Sequence, residues 1–311
     1  MDRAEKMKAF SDAIWGWFSE HKRTLPWRDV DHLSAADRAY RVWISEVMLQ
    51  QTQVSRVIVI FDRFLKEFPH LRDLAQASNR DVIMAWRGMG YNSRALRLRD
   101  GAKVVMDQFG GTFPHDVEHL RSIPGIGRYT AGAIRNFAFN LPTPCIDTNI
   151  ERILLRVFYA PSVISVKTDE LYQLASNILN IAIDPAELHF TKDWHAALMD
   201  FGSLVCTKTN PRYESDPLMA LGLYESPYRS DIKKKAKERF HHGEPNRIYR
   251  GRIIEALRNR PNGIPSEDLG DLIDTQWKGK KEEKVWLEKI IQRLVKDHLI
   301  EMKKDRVRLK I

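Results

Sequence analysis

Leu120-Arg121-Ser122-Ile123-Pro124-Gly125-Ile126-Gly127-Arg128-Tyr129-Thr130-Ala131-Gly132-Ala133 is the stretch that decides the fold of this chain. A short helix enters a turn with two glycines, and a second helix leaves it. Glycines let the backbone come close to a phosphate, and the free N–H groups at the start of the next helix can hold its oxygens. Gly125, Gly127 and Arg128 therefore read as a helix-hairpin-helix element that grips a phosphate backbone without reading sequence. Pro-Gly-Ile-Gly alone also fits an ordinary tight corner between two helices.

Outward from this hairpin the pattern stays helical. Ala39 to Phe68 carries Val42, Trp43, Val47, Leu49, Val54, Val57 and Phe61 at three- and four-residue spacing, the helical period. Further helices are expected at 71–77, 79–87, 92–108, 116–122, 128–140, 148–159, 168–182 and 192–204. Gly88-Met89-Gly90, Gly110-Gly111 and Pro142-Thr143-Pro144 break them apart. No alternating strand pattern occurs in residues 1–225, which read as one helical domain. Residues 206–246, rich in Pro, Gly, Ser and charge, read as a connector, with a basic linker proper at 226–246. Part of the stretch folding back on the core is the other reading. The segment 247–311 offers helices over Gly251–Arg260, from a Ser266 cap to Ile273, and over Glu282–His298. Extended runs Leu299–Met302 and Val307–Ile311 follow. Three helices and a hairpin make a winged-helix pattern. The expected class is mainly α, with a small winged-helix-like C-terminal domain.

Charge is distributed unevenly. The chain of 311 residues carries a net charge of +9, and residues 226–311 hold 23 Lys and Arg against 14 Asp and Glu. The surplus thus lies wholly in the C-terminal quarter, with Lys303-Lys304-Asp305-Arg306 at the hairpin tip. A basic domain beside a neutral one points to a polyanionic partner, nucleic acid first, although a solubilising tail has the same composition. No apolar run approaches the roughly 18 residues that a membrane span requires. The charged start Met1-Asp2-Arg3-Ala4-Glu5-Lys6 is not a secretory signal. Cys145 and Cys206 lie far apart, which fits reduced thiols better than a disulfide scaffold. The expected setting is cytoplasmic (nucleoid-associated in a prokaryote), and the expected state is a monomer.

Cys145-Ile146-Asp147-Thr148-Asn149-Ile150 follows Pro-Thr-Pro and opens a helix. Spacing alone favours Asp147 as an N-cap that satisfies the amides of the first turn. A capping carboxylate is also rigid, and beside a nucleotide it can stabilise a cationic sugar or attack it. Glu46, on an apolar helix face, reads on its own as a satisfied core carboxylate.

The order Pro26-Trp27-Arg28, Ile44-Ser45-Glu46-Val47-Met48-Leu49-Gln50-Gln51-Thr52-Gln53-Val54, Gly90-Tyr91, the glycine hairpin and Ile146-Asp147 resembles the helix-hairpin-helix DNA glycosylase superfamily. The run from Ser45 to Val54 is similar to MutY-type adenine glycosylases. The resemblance implies a two-lobed helical core with Asp147 as the catalytic aspartate and Glu46 as the acid that protonates adenine N7. Tyr129 and Asn149 match residues that organise the transition state. Burial is expected to raise the pKa of Glu46, and the helix N-terminus to keep Asp147 ionised. Gln50, Gln51 and Gln53 are expected to reach into the duplex, against a solvated polar helix face as the other reading. Tyr91 is expected at the wedge, or in the core. Tyr129 stands where strand-cutting relatives have a lysine that forms an imine, so a monofunctional enzyme is implied.

Three departures accompany the resemblance. The family's iron–sulfur cluster takes four cysteines spaced C-x6-C-x2-C-x5-C. Counting from Cys206, the other places hold Tyr213, Asp216 and Gly222, so no cluster, metal or other cofactor is expected. Asn92 replaces the second aromatic of the wedge and cannot stack comparably. A basic winged-helix-like domain stands where a Nudix-like domain reads 8-oxoguanine. The expected activity is base-excision removal of adenine opposite 8-oxoguanine or guanine, with double-stranded DNA bearing a mismatch or oxidised base as partner. Two alternatives are a thymine or uracil glycosylase acting on mismatches with guanine, and a non-catalytic DNA-binding protein.

Overall fold

The computed structural model describes residues 1–163, 165–184, 186, 189–227 and 239–310. In chain order the helices begin with α1 (Arg3–His21), α2 (Ala35–Leu49), α3 (Val54–Glu67), α4 (Leu71–Gln76), α5 (Asn79–Ala85) and α6 (Ser93–Phe109). They continue with α7 (Val117–Ser122), α8 (Arg128–Phe139), α9 (Thr148–Phe158), α10 (Thr168–Ala182), α11 (Thr191–Leu204) and α12 (Pro217–Ala220). The C-terminal part runs β1 (Phe240–His241), β2 (Glu244–Pro245), α13 (Asn246–Arg258), β3 (Ile264–Pro265), α14 (Leu269–Ile273), α15 (Lys281–Lys296), β4 (Ile300–Lys303) and β5 (Arg306–Leu309). The chain is mainly α, and no described helix is long and apolar enough to cross a membrane.

Two compact units form. The first holds Met1–Glu46, Phe113–Ser122 and the chain from Ile126 through α12; the second holds Val47–Thr112, Ile123–Gly125 and everything from β1 onward. In the first unit, α9 buries Ile150, Ile153, Leu154 and Val157 at helical spacing, the stripe that an amphipathic helix turns inward. They pack with Phe10, Ile14 and Trp17 of α1, Leu174 and Ile178 of α10, and Trp194 and Phe201 of α11. The charged N-terminus is a capping box, in which Asp2 and Glu5 satisfy each other's backbone N–H groups.

The structure sharpens one expectation and revises three. The apolar stripe from 39 to 68 is two helices, because residues 50–53 form a turn with Gln51 at φ 55°. The stretch after Cys206 is not a linker over its first half. Leu218 and Leu223 join the first unit's core beside Cys206, and Asp216 caps α12 through the N–H groups of Leu218 and Met219. Of the expected linker at 226–246, residues 228–238 lie outside the described residues, and 240–245 form a two-residue antiparallel hairpin instead. Ser266 does not cap a helix with its side chain; it opens a 3-10 turn, and its N–H donates to the Asp305 carbonyl at 2.9 Å.

The three C-terminal helices and the hairpin lie where they were expected, within a few residues. Short β3 also pairs with β5, giving an antiparallel sheet in the order β3-β5-β4. Within the second unit these elements share a core with α5 and α6 through Ile83 and Leu96. The buried Arg258 of α13 donates to the carbonyls of Ile83 and Met84. Part of the positive surplus is used internally. Arg250 pairs with Asp297, Arg252 with Glu244 and Arg308 with Glu301, while Lys303 and Lys304 stay exposed at the β4–β5 turn.

Close helix approach sets the position of α9. A Cβ added at Gly202 of α11 would lie 2.6 Å from the Asn149 Cβ. Gly202→Ala must therefore push α9 outward. The expected cost is about 1–3 kcal/mol of stability, measured by urea denaturation, together with a loss of activity larger than the unfolded fraction explains.

Candidate active site

Four polar residues converge in the first unit, each placed by a helix. Glu46 lies in the last turn of α2 and Tyr129 in the first turn of α8, where the Tyr129 hydroxyl donates to Glu46 Oε2 at 2.7 Å. Asp147 is the N-cap of α9. Its Oδ1 accepts from the N–H groups of Asn149 and Ile150 at 2.9 and 2.7 Å, and its Oδ2 accepts from Asn149 Nδ2 at 3.0 Å. Asp147 is thus the N-cap that its place before α9 suggested.

Burial governs the electrostatics. It pushes the Glu46 carboxyl up to about 7 against the Tyr129 hydrogen bond, and the neighbouring Asp147 charge adds to the rise. Asp147 also ends above its ordinary value, because burial outweighs its backbone and Asn149 donors. The helix N-terminus was expected to favour ionised Asp147; its donors do lower the pKa, but burial outweighs them. The two environments still differ. Glu46 has one neutral donor and Asp147 has three, so a shared proton belongs on Glu46. Burial also drives the Tyr129 hydroxyl well above its usual range, which keeps it a phenol and a donor.

Several supporting residues escaped the reading of the sequence. Arg152, buried on α9, donates to Asn149 Oδ1 and to the carbonyls of Gly202 and Cys206, each at 2.7 Å. This fixes the Asn149 amide so that its nitrogen faces Asp147. Buried Asn136 accepts from Thr143 N–H at 3.0 Å and donates to the Thr143 carbonyl at 2.8 Å, which pins the Pro142–Pro144 strap that leads to Asp147. Gly132 lets that strap lie against α8, since a Cβ there would meet the Pro144 carbonyl at 3.1 Å. Arg28 of the Pro-Trp-Arg motif pairs with both oxygens of Asp200 at 2.8 Å. Burial pushes Asp200 up, but Arg28 and Arg23 hold it below the usual carboxylate range. An arginine inside an apolar helical stripe is the only trace of Arg152 in the sequence.

In the hairpin, Gly125 has φ 86°, the left-handed region that favours glycine. Gly127 is extended and stands before α8 with no side chain to cap it, which leaves the first amides of that helix open. Arg128 is turned toward Asp169, at 2.9 Å, and over the Tyr172 ring. In the second unit Gln50, Gln51 and Gln53 are exposed in the α2–α3 turn rather than on a helix face. Tyr91 is exposed, not core, and sits at φ 45° after Gly90. One buried side chain organises both loops. Arg94 donates to the carbonyls of Val47 and Met48 and to Thr52 Oγ1 on one side, and to the carbonyls of Met89 and Gly90 on the other. Its guanidinium also lies 5.5 Å from the Tyr91 ring.

The positions aligned with cluster cysteines have other partners. The Cys206 thiol accepts from Arg156 at 3.4 Å. Asp216 caps α12 and accepts from the Tyr224 hydroxyl at 2.7 Å. The Tyr213 ring packs edge-on against Tyr224. One thiol, one carboxylate, one phenol and a glycine do not fit a four-thiolate cluster.

Residues 44–180 match the family described as HhH-GPD superfamily base excision DNA repair protein. Residues 44–180, which contain the helical hairpin and both buried carboxylates, thus carry the domain of that superfamily. Its relatives there include adenine DNA glycosylases. It is 40% identical to the one from Mus musculus over 218 residues, covering 68% of this chain and 41% of the mouse protein. This chain thus spans about two fifths of that relative's length. The adenine DNA glycosylase of Mycolicibacterium smegmatis is 29% identical over 292 residues, 94% of this chain and 92% of the relative. A solved thermostable thymine-DNA glycosylase superposes with a TM-score of 0.62 at 26% identity, covering 72% of this chain and 97% of that one.

A carboxyl raised from 4.5 to about 7 makes the fold pH-sensitive. The folded state holds the proton more tightly, so this stability is present below about pH 4.5 and is lost as pH rises through about 7. Glu46→Gln removes the loss. It should stabilise the protein at pH 8 by about 3 kcal/mol more than at pH 4.5, read from urea denaturation at both pH values, while activity falls.

Proposed function

We propose that this chain is a monofunctional base-excision DNA N-glycosylase that removes adenine paired with 8-oxoguanine or guanine in double-stranded DNA. The observation that carries the proposal is Glu46, buried, held by Tyr129, raised to about 7 and set beside Asp147. Adenine leaves poorly as an anion. The protonated Glu46 gives its proton to adenine N7, so that the C1′–N9 bond breaks with its electron pair moving to a neutralised ring. Asp147, the better-solvated carboxylate of the two, faces the cationic sugar that results and stabilises it or adds to C1′. Water then adds to C1′, displacing Asp147 where it had added, and its proton passes to the Glu46 carboxylate that gave one up. Asn149 and Arg152 act as positioning residues for Asp147. A phenol at Tyr129 cannot form an imine with the sugar, so strand cleavage by that route is not part of the reaction.

The names of the mouse and mycobacterial relatives support adenine as the target. The proposal extends to cofactors: the chain works without an iron–sulfur cluster, Asp216 and Tyr213 doing by hydrogen bonding and packing what the cluster does by ligation. Gln50, Gln51, Gln53 and Tyr91 are the proposed duplex-entering groups, positioned by Arg94, and Gly125, Gly127 and Arg128 the proposed backbone grip. The basic C-terminal segment 247–311, read as a winged-helix-like domain, adds phosphate contacts through exposed lysines such as Lys303 and Lys304.

Single-turnover assays on labelled duplexes, each with one A·8-oxoguanine, A·G, T·G or U·G pair and treated with alkali, test this reading. Adenine release from the first two is expected. Asp147→Asn should lower it about 10³-fold or more while duplex binding persists. Release of thymine or uracil from guanine pairs, with adenine untouched, would replace adenine with a pyrimidine target. No base release from any duplex would overturn the enzyme reading.

A further inference from the structure

The proposed chemistry uses none of the histidines, and two of them meet far from the carboxylates in sequence. His241 ends β1 and His242 follows it at φ 43° in the tight turn of the β1–β2 hairpin. Both face Asp274, the residue that follows α14. His241 Nε2 lies 3.4 Å and His242 Nδ1 2.7 Å from Asp274 Oδ2. The ligand atoms of the three residues all lie within 4.8 Å of one another. His241 Nε2 is buried and has no hydrogen-bond partner, a cost that a core histidine normally avoids.

The surroundings fix these atoms from behind. Asp274 Oδ1 accepts from the Gln276 N–H at 2.9 Å, which leaves Oδ2 to the histidines. His242 Nε2 faces Glu283 Oε1 at 3.4 Å. Glu283 Oε2 is itself held by the N–H groups of Lys280 and Lys278 at 2.8 and 3.1 Å. The His241 ring stacks on Trp286 at 3.6 Å, which holds that imidazole in place. A cavity lined by both histidines, Gln276, Lys278, Lys280 and Glu282 opens beside them.

We propose that His241 Nε2, His242 Nδ1 and Asp274 Oδ2 bind a divalent first-row metal of the zinc class, with the fourth position open to water from the cavity. Two imidazoles and a carboxylate are zinc-type donors. The edge of a zinc tetrahedron with bonds of about 2.0–2.1 Å is about 3.4 Å, the spacing of His241 Nε2 and Asp274 Oδ2, while His242 Nδ1, at 2.7 Å from that oxygen, exchanges its hydrogen bond for the metal and opens by a few tenths of an ångström. Glu283 completes the arrangement as the carboxylate that orients a ligating imidazole through its other nitrogen. Asp274, Glu282 and Glu283 outweigh Lys278 and Lys280, so the local field favours a dication. The bound ion clips the β1–β2 hairpin to the end of α14, joining residues 32 apart in sequence. Its role is to fasten the start of the C-terminal elements to their own core.

Tag-free full-length protein, stripped with chelator, is titrated with Zn²⁺ against a chromophoric competitor and, separately, with Co²⁺. One equivalent of Zn²⁺ per chain is expected, with a raised thermal midpoint that EDTA reverses and Mg²⁺ does not reproduce. The Co²⁺ form should show visible d–d bands without thiolate charge transfer. His241→Ala and Asp274→Asn should each weaken Zn²⁺ about 100-fold or more with the helical circular-dichroism spectrum retained. Failure of the wild-type chain to take up a stoichiometric ion would overturn the proposal. So would a thiolate band, which assigns the ion to Cys145 or Cys206, or undiminished binding in a folded His241→Ala/Asp274→Asn variant.

Discussion

Two carboxyl groups buried as neighbours, Glu46 and Asp147, set the constraint on which the first unit is built. Like charges cannot both be left ionised in a low-dielectric site without large cost. The structure resolves the conflict by unequal solvation. Asp147 receives two backbone N–H groups and an amide at the start of α9, and Glu46 receives a single phenol. The proton therefore falls to Glu46. Much of the surrounding architecture serves to keep that inequality in place. Asn136 and Gly132 bring the Pro142–Pro144 strap against α8, Gly202 admits α9 next to α11, and Arg152 orients Asn149. A chain that folds this way stores an acid at some cost to its own stability, the usual compromise at a reactive site.

The second unit rests on a different device. Arg94 is buried, and burial lowers its pKa to about 10, yet it stays charged at neutral pH and is surrounded by backbone carbonyls. Those carbonyls come from the last turn of α2, which leads into the glutamine turn, and from the Gly90-Tyr91 corner. One guanidinium thus gives both loops a fixed register. The C-terminal elements are built into the same unit. The contacts of Arg258 and the shared residues Ile83 and Leu96 make them part of its core rather than a tethered appendage.

Most helices were legible because apolar spacing and glycine or proline breaks mark them directly, as α8, α9 and α10 illustrate. The glycine hairpin was legible for the same reason. What periodicity could not supply was the break at residues 50–53, where no glycine or proline interrupts the apolar stripe and the chain turns through a left-handed Gln51. It also could not separate polar loop from folded-back chain after Cys206, since the apolar run that carries Leu218 and Leu223 is short and lies between polar, charged segments. Within the site, the cap geometry of Asp147 followed from its place before a helix. Glu46 alone read as a core carboxylate, and only its resemblance to a family motif singled it out. Arg94, Asn136 and Arg152 stayed hidden because their partners are carbonyls and amides from distant segments, which sequence spacing does not encode. The same holds for the His241, His242 and Asp274 cluster, whose members meet only through tertiary folding.

The central claim, that Glu46 carries the reactive proton, is tested most directly by the pH dependence of adenine excision. Single-turnover rates measured with enzyme below saturation report the free enzyme's ionisation. With Glu46 at about 7, the second-order rate constant should fall about tenfold per unit above pH 7, reaching roughly a tenth of its maximum by pH 8, and fall again in acid as Asp147 takes up a proton. A rate that stays level through pH 8.5 would contradict the account.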